Sequence, residues 1–209
     1  MNTKHDNALD LHTLTEAAIM VALATVLSFI KVYEAPYGGA VTLLSMAPII
    51  ILSLRQGCGV GLAAGLVHSV IQLILGLNNV GWIPDLSGKI LCMLFDYILP
   101  FTLLGLGGMF RSVRFTKNDG SNLVIAAILG TLAVTLIRFV CHIFSGVVVW
   151  YALDLGWYAD EPDHIVNKYG PLLFSTIYNG SFMLPEIIET CVGVPLLATA
   201  LRRVGILKK

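Results

Sequence analysis

The sequence predicts an all-α integral membrane protein: six transmembrane helices in one membrane domain, residues 1–209, with both termini in the cytoplasm. Composition is the first reason, since 56% of the residues are hydrophobic and 12% are charged, far from the usual balance of a soluble protein. The second reason is a series of six apolar segments. The third is an uneven distribution of Lys and Arg between the loops. The formal net charge is zero, and nothing in it indicates a nucleic-acid partner.

The six apolar segments are read as spans because a helix needs roughly 20 apolar residues to cross the hydrocarbon core. The predicted spans cover residues 14–32, 41–54, 59–77, 90–110, 123–150 and 180–201. The second is short, which is consistent with a tilted or partly re-entrant segment. An even number of spans puts both termini on one side.

Orientation follows from the bias of Lys and Arg toward cytoplasmic loops. One set of loops and ends is strongly basic: Lys4, Arg55, Arg111, Arg114, Lys117, Arg202, Arg203, Lys208 and Lys209. The other set holds only Lys31, Lys89 and Lys168. We therefore predict a multi-pass membrane protein with both ends in the cytoplasm. The charged N-terminal segment lacks the short apolar region and small-residue site of a cleaved signal peptide.

The fifth span carries an unusual polar series. Arg138, His142, Gly146 and Trp150 follow one another at four-residue steps, so they share one side of a helix. A cation inside hydrocarbon is costly, and an ionisable residue within a span is by default a functional-site hypothesis. The alternative for His142 is a structural role, in which its imidazole forms hydrogen bonds to a neighbouring hydroxyl or carbonyl within the bundle.

Ionisable residues on three spans are predicted to lie at one depth. Counting about 1.5 Å per helical residue from the outer ends, Asp96 lies roughly 9 Å down, Glu186 roughly 10 Å and His142 roughly 12 Å. A shared water-accessible pocket accommodates such groups better than lipid does. Pro100 and Pro185 each free a backbone carbonyl near this depth, which a ligand cavity tolerates.

Arg138 lies deeper, roughly 18 Å below the outer ends of the helices, and Glu189 lies roughly 15 Å below them. Because these depths are similar, Arg138 is predicted to form an ion pair with Glu189 rather than to contact a ligand. Glu186 is left open between pairing with Arg138 and lining the pocket. Tyr97, Trp150 and Tyr178 are consistent with an interfacial aromatic belt. Their proximity to Asp96, His142 and Asn179 favours instead an anionic, aromatic-walled cavity for an organic cation or a flat heteroaromatic ring.

The sequence lacks the common motifs of nucleotide binding, metal binding and hydrolysis. The sequence has no P-loop, no H-E-x-x-H, no G-x-S-x-G and no Cys/His cluster, so ATP binding in the P-loop manner, metal sites, cofactors and serine hydrolysis have no support. The four cysteines lie in apolar segments at no metal or redox spacing, and no disulfide is predicted. Ala18-x-x-x-Ala22 in the first span permits close helix approach, for which ordinary packing within the bundle is sufficient.

Three blocks together resemble a known family: Arg138-Phe-Val-Cys-His142-Ile-Phe-Ser-Gly146 with Trp150, Phe95-Asp96-Tyr97-Ile-Leu-Pro-Phe101, and Tyr178-Asn179-Gly-Ser-Phe-Met-Leu-Pro185-Glu186. They are similar to the thiamine-specific substrate-binding subunit, or S component, of energy-coupling factor transporters. The resemblance covers essentially the whole chain.

The resemblance implies a high-affinity thiamine site under the outer loops and no enzymatic activity in this chain. The residues that match the family's binding motifs are Asp96, Tyr97, His142, Gly146, Trp150 and Asn179. Their neighbours Tyr37, Phe174, Tyr178 and Glu186 complete the predicted ligand-binding set. The resemblance also implies that Ala18 and Ala22 contact a transmembrane coupling subunit, which in turn binds two ATPase subunits. Asp96 stands where the family has Glu, and Phe174 stands where it has Tyr. The loop over residues 151–170 is longer than the family needs, and the first outer loop has no Trp.

The predicted anionic, aromatic-walled cavity suits the ligand that the resemblance implies. Thiamine carries a cationic thiazolium ring and a flat aminopyrimidine. We predict capture from outside, closure of the first and fifth outer loops, and delivery inward with the partner subunits. A related pyrimidine is an alternative ligand. Two other functions stay open: a self-sufficient proton-coupled carrier of a small cationic or heteroaromatic solute, using Asp96, Arg138, His142 and Glu186 as a relay, and a membrane-embedded enzyme with Asp96 and His142 as acid and base.

Overall fold

The computed structural model describes residues 10–207, without the side chain of Tyr37. Helices form most of the described chain, and one hairpin accompanies them. We number its helices α1 Leu11–Ser28, α2 Ala47–Gln56, α3 Cys58–Leu75, α4 Leu77–Gly81, α5 Leu86–Leu106, α6 Asp119–Trp157, α7 Ile165–Lys168 and α8 Pro171–Arg203. The hairpin pairs β1 Lys31–Glu34 antiparallel with β2 Ala40–Thr42, and the 3-10 turn Pro36–Gly38 joins them. The predicted Lys4, Lys208 and Lys209 of the basic face lie outside the described residues.

Five of the described helices are long and apolar enough to cross a membrane: α1, α3, α5, α6 and α8. Helix α2 has 10 residues, and at 1.5 Å per residue it covers about half of the hydrocarbon thickness. Its residues 47–54 are all buried, because other helices surround it. The predicted all-α membrane fold is confirmed, while the count of six spans stays a prediction.

Several helix ends differ from the predicted span ends, and the span ends themselves stay predictions. The second segment begins with strand β2 instead of helix, α6 continues past Trp150 to Trp157, and α8 begins at Pro171 instead of residue 180. The prediction ended each span at the first polar residues. Within the helices, however, polar side chains such as Asp154 and Ser175 are buried against protein, so polarity there does not mark a membrane surface.

Glycines allow the central helices to pack backbone against backbone. A Cβ added at Gly105 of α5 would lie 2.2 Å from the carbonyl carbon of Gly61 in α3. One added at Gly130 of α6 would lie 1.9 Å from the carbonyl oxygen of Gly107. These contacts leave no room for a side chain, and small residues at crossings are how membrane helices approach closely.

Within residues 10–207, two π-helical turns interrupt the long α-helices. The turn Met93–Ile98 lies within α5 and the turn Gly146–Trp150 lies within α6. Pro100 has no N–H for the carbonyl of Asp96, and in this turn the N–H of Leu99 bonds to the carbonyl of Leu94. Such turns are frequent at functional sites, and both place their side chains in the same cavity.

Candidate functional site

One cavity lies between α3, α5, α6 and α8, under the loop of the hairpin. It is lined by Gly38, Gly39, Ala40, Gln72, Asn79, Asp96, Tyr97, Phe101, Arg138, His142, Gly146, Trp150, Asp154, Phe174, Ser175, Tyr178, Asn179 and Phe182. The lining is mixed, with aromatic rings beside carboxylates, a guanidinium and amides. Concave sites with this composition bind small molecules.

Asp96 is held in the cavity wall by three side chains. Its Oδ1 lies 3.0 Å from Nδ1 of His142, and its Oδ2 accepts hydrogen bonds from Ser145 Oγ at 2.5 Å and from Trp150 Nε1 at 2.9 Å. Three residues of α6 therefore fix the carboxylate of α5. The bond to Trp150 also orients the indole ring along the cavity.

The proton on His142 is placed by its two neighbours. Arg138 Nε donates to His142 Nε2 at 3.3 Å, and a guanidinium can only donate. His142 Nε2 is therefore the acceptor, and Nδ1 carries the hydrogen that faces Asp96. His142 is 7% exposed, so this neutral tautomer is held within protein.

Arg138 lines the cavity and contacts Glu186 behind it. Its Nη1 lies 3.7 Å from Glu186 Oε2, and its guanidinium stands 4.5 Å from the centre of the Phe101 ring. Glu186 is fully buried and accepts hydrogen bonds from the backbone N–H and the hydroxyl of Thr42. A chain of polar contacts thus runs from the hairpin through Glu186, Arg138 and His142 to Asp96.

The predicted ion pair between Arg138 and Glu189 is wrong. Glu189 Oε1 instead accepts from the backbone N–H of Leu44 at 3.0 Å. The depth comparison counted from Asn179, but α8 begins at Pro171, so the depths assigned to its residues were too shallow. The expectation that Arg138 avoids the cavity is also wrong, because its side chain forms part of the wall.

Gly146 allows α6 and α8 to meet beside the cavity. A Cβ added there would lie 2.0 Å from Ser175 Oγ and 3.1 Å from Asn179 Nδ2. Ser175 Oγ donates to the carbonyl of Ile143, and Asn179 Nδ2 donates to the carbonyls of His142 and Ser175. The glycine therefore lets an amide of α8 bond directly to the backbone of α6.

Aromatic rings form the remaining wall. The ring of Phe182 makes an edge contact with His142 at 5.9 Å, and Tyr178 makes edge contact with Phe182 at 5.9 Å. Phe174 is 2% exposed and packs on Tyr151 at 5.7 Å. Flat apolar surfaces with polar groups between them suit a heteroaromatic ligand.

The hairpin covers the cavity and is tied to it. The hydroxyl of Tyr178 donates to the carbonyl of Pro36, and the two Thr42 groups bond to Glu186. A Cβ added at Gly39 would lie 2.4 Å from the Phe182 ring. Gly38, at φ +96°, places its backbone against Asn79.

Most of the predicted ligand-binding residues lie together in the cavity wall: Asp96, Tyr97, His142, Gly146, Trp150, Phe174, Tyr178 and Asn179. Glu186 does not line the cavity and instead binds Thr42 and Arg138 behind the wall. The side chain of Tyr37 lies outside the described part of the structure. The assignment of these residues to ligand binding stays a prediction.

Sequence reasoning missed several lining residues: Gln72, Asn79, Phe101, Asp154, Ser175 and Phe182. Gln72 and Asn79 lie at the end of α3 and in α4, where no polar series drew attention. Ser175 lies four residues before Asn179, on the same side of α8. That spacing was a usable signal once the helix was known to begin at Pro171.

The predicted partner-binding residues face outward. Ala18 and Ala22 are exposed on α1, and large apolar neighbours such as Ile19 and Val26 are about 60% exposed. The structure therefore does not use this small-residue side of α1 for packing within the described bundle. Within residues 10–207 no group of three or more His, Cys, Asp or Glu is placed to hold a metal.

The fold and the cavity define a class: a helical, multi-pass membrane protein with a buried polar and aromatic site under a hairpin. The family model described as "Thiamine transporter protein (Thia_YuaJ)" matches residues 14–205. The chain therefore belongs to the thiamine transporter protein family Thia_YuaJ, and it is a protein of the bacterial plasma membrane.

Curated relatives and a solved structure agree with this membership. The chain is 28% identical over 190 residues to the thiamine transporter ThiT of Bacillus subtilis, covering 88% of each protein. It is 29% identical over 194 residues to the thiamine transporter ThiT of Lacticaseibacillus paracasei, covering 88% of this chain and 85% of that one. A solved structure of ThiT from Listeria monocytogenes matches with a TM-score of 0.71 at 23% identity, over 93% of this chain and 97% of that one, and shows the same fold.

Proposed function

We propose that this chain is the thiamine-binding subunit of a vitamin transporter and that the cavity is its thiamine site. The observation that carries the proposal is the cluster of Asp96, His142, Trp150 and Asn179 in one wall, in a chain of the thiamine transporter family. Thiamine offers one cationic ring and one aminopyrimidine, which need a carboxylate, a stacking surface and an amide. All three are present within a single site.

Asp96 and Asn179 suit the aminopyrimidine. Oδ1 of Asp96 accepts one hydrogen bond among the described residues and keeps a second acceptor direction for a ligand N–H. The amide nitrogen of Asn179 donates to two backbone carbonyls. The amide oxygen of Asn179 is therefore available to accept a hydrogen bond from a ligand. The indole of Trp150, held by its bond to Asp96, supplies the flat surface for a ring.

A tryptophan fluorescence titration tests the proposal. The chain has three tryptophans, and only Trp150 lines the cavity. Thiamine should quench the purified chain in detergent saturably, and biotin should not. Trp150→Phe should remove most of the signal while Trp82→Phe keeps it. A chain that responds to biotin or riboflavin and ignores thiamine contradicts the proposal.

We propose that the hairpin acts as a lid. Its contacts with Tyr178 and Glu186 close the cavity from the hairpin side, so a ligand enters only when these bonds open. The segment of residues 151–170 flanks the same region and closes with it. Opening at the outer surface and release inward would then be separate events, as transport requires.

We also propose the six-pass topology with both ends in the cytoplasm. Arg55 at the end of α2 binds Glu16 at the start of α1 at 2.7 Å, so these ends share one side. Arg111, Arg114 and Arg202 surround a second hollow together with Leu54, which adds the loop after α5 and the end of α8 to that side. This basic side suits the cytoplasm.

Delivery inward is proposed to need a transmembrane coupling subunit and two ATPases, and this chain is proposed not to be an enzyme. The support is the exposed apolar side of α1 around Ala18 and Ala22, which has no packing role within the described bundle. Ala18→Trp should leave thiamine binding unchanged and abolish uptake by cells that contain the partners. Unchanged uptake by that variant would contradict this docking surface.

The alternative of a self-sufficient proton-coupled carrier is disfavoured by the same chain of contacts. Arg138 stands between Glu186 and His142, and a guanidinium does not give up its proton in the ordinary pH range. A proton relay along this chain is therefore interrupted. Thiamine uptake by this chain alone into liposomes, driven by a proton gradient, would restore the alternative.

A further inference from the structure

A basic hollow lies at the start of α6 and the end of α8, whereas the cavity lies toward the other ends of both helices. Arg111, Arg114 and Arg202 line the hollow, and within residues 10–207 the acidic member of its lining is Asp119. A guanidinium keeps its charge throughout the ordinary pH range. The described lining is therefore positive whatever the protonation state of Asp119, and it suits an anion.

Arg202 reaches from the end of α8 to the first turn of α6. Its Nη1 lies 2.5 Å from the position that a Cβ on Gly120 would take. The N–H groups of Gly120 and Ser121 already donate to Asn118 Oδ1, at 2.8 Å and 3.2 Å. An anion in the hollow would therefore be bound by guanidinium groups and not by the end of the helix.

Arg111 and Arg114 belong to the segment between α5 and α6. Arg114 Nη2 lies 3.5 Å from Asp119 Oδ1, and the Arg114 side chain is 69% exposed, so this ion pair is weak and screened by water. Arg111 Nη1 lies 3.6 Å from the position that a Cβ on Gly57 would take, which places it beside the start of α3. Phosphate oxygens match the planar fork of N–H donors that an arginine presents.

An apolar groove between α6 and α8 continues the basic hollow. The two share Leu123 and Arg202, and Val124 and Ile125 of α6 and Thr199 of α8 also line the groove. At about 1.5 Å per residue, Ile125 lies roughly 9 Å from the start of α6. The groove therefore runs from the basic hollow into the predicted span that begins at residue 123, where lipid chains lie.

Exposed apolar side chains stand beside the arginines. Val113 is 44% exposed and Phe115 is 40% exposed, on either side of Arg114 in the sequence, and Val204 near Arg202 is 70% exposed. Cationic groups with apolar neighbours suit the boundary between the headgroups and the acyl chains of a bilayer. The hollow is therefore expected at headgroup level, in the leaflet that the proposed topology makes cytoplasmic.

We propose that the basic hollow and the apolar groove form one binding site for an anionic phospholipid. The phosphodiester lies against Arg111, Arg114 and Arg202, and an acyl chain lies between α6 and α8. Basic pockets between transmembrane helices bind anionic headgroups in this way. A free phosphate ester would use the arginines without the groove, so the groove favours a lipid. The site is separate from the thiamine cavity and does not depend on which solute the chain binds.

Native mass spectrometry of the purified chain, titrated with lipid in detergent, tests the proposal. The probes are phosphatidylglycerol, phosphatidylcholine with the same acyl chains, and glycerol phosphate as a headgroup without chains. The wild type should bind phosphatidylglycerol at least about tenfold more tightly than either of the others. The double variant Arg111→Gln/Arg202→Gln should lose at least about tenfold for phosphatidylglycerol. Arg203→Gln is the matched control, because Arg203 is exposed at the same helix end and lines neither hollow nor groove.

The groove has its own variant, Val124→Trp, which fills it and should weaken phosphatidylglycerol at least about threefold without changing glycerol phosphate. Thermal unfolding without lipid checks that each variant folds. Arg111→Gln alone, with a loss of at least about threefold, carries the test if the double variant does not fold.

Four results would overturn the lipid site. Equal affinities of the wild type for the two lipids would show that the headgroup charge is not recognised. Glycerol phosphate that binds as tightly as phosphatidylglycerol would identify a site for free phosphate esters. Unchanged phosphatidylglycerol affinity in Val124→Trp would remove the chain from the groove. Loss of a coupling subunit on co-purification of the double variant, with no lipid preference in the wild type, would assign the arginines to a protein partner.

Discussion

The side chain of Arg138 donates a hydrogen bond to Nε2 of His142 at 3.3 Å, and this bond sets the chemistry of the cavity wall. It leaves the hydrogen of the imidazole on Nδ1, facing Asp96. The orientation of Asp96 thus depends on a residue that does not contact it. Arg138 in turn reaches the hairpin through Glu186 and Thr42, so the site and its cover share one set of contacts.

Arg138→Lys should weaken thiamine binding about tenfold or more. An ammonium on a flexible stem lacks the planar fork that contacts His142 and Glu186 together, so the imidazole loses the partner that fixes its tautomer. Calorimetric titration of the purified variant measures the effect. Arg203→Lys at the exposed end of α8 is the control and should leave the affinity unchanged. Equal affinities for both variants contradict this account.

The pair formed by Arg138 and Glu186 should show strong energetic coupling. Both side chains are buried, and removing one partner leaves an uncompensated charge at a cost of about 3–5 kcal/mol. Arg138→Met and Glu186→Gln should each lower the thermal unfolding temperature in detergent. The double variant should be more stable than the sum of the single losses predicts. Simple additivity of the two losses argues against the pair.

Gly146→Ala should disrupt the contact between α6 and α8. The added methyl would lie 2.0 Å from Ser175 Oγ, so the helices must separate, and we expect a loss of about 1–3 kcal/mol of stability together with weaker thiamine binding. Gly156→Ala is a matched control in the same helix, since a Cβ there meets nothing within 4 Å. Adding Ser175→Ala to Gly146→Ala should recover part of the loss; no recovery would place the strain elsewhere.

Gly39→Ala should loosen the hairpin over the cavity. The new methyl would lie 2.4 Å from the ring of Phe182, which is 3% exposed and has little space to move. We expect faster thiamine dissociation in stopped-flow fluorescence, with a smaller change in the association rate. Gly81→Ala, where a Cβ meets nothing within 4 Å, should dissociate as the wild type does. Unchanged dissociation from Gly39→Ala would mean that the hairpin is not the lid.

The sequence predicted the helical membrane fold and much of the cavity wall because both depend on local spacing. Arg138, His142, Gly146 and Trp150 share one side of one helix whatever the rest of the chain does. Asp96 was expected near His142 from depth, and the two side chains are in contact at 3.0 Å. The prediction that Asp96 and His142 lie at the same depth was therefore useful, although the start of α5 and the end of α6 were misplaced.

Other features depend on packing that spacing does not encode. Glu189 was predicted as the partner of Arg138, and Glu186 was left open between that pairing and the pocket. Arg138 in fact contacts Glu186, and the depths of the α8 residues were misjudged because the start of the helix was placed at residue 180. Asp154 was assigned to a loop because the apolar run ends at Trp150, although the helix continues with this carboxylate turned into the protein. The hairpin over residues 31–42 has no strong strand signal. Contacts with Glu186 and Phe182 hold it in place.

The most direct test of the central claim is calorimetric titration of thiamine into the purified wild type, Asp96→Asn and Asp163→Asn, the last being a control because the Asp163 side chain is 98% exposed. Asp96→Asn puts an amide where Ser145, Trp150 and His142 present donors, so the wall loses the anion around which it is arranged. The account predicts one thiamine per chain with a dissociation constant of about 1 μM or tighter for the wild type and Asp163→Asn, and at least about a tenfold loss for Asp96→Asn. Equal thiamine affinity in Asp96→Asn and the wild type would contradict it.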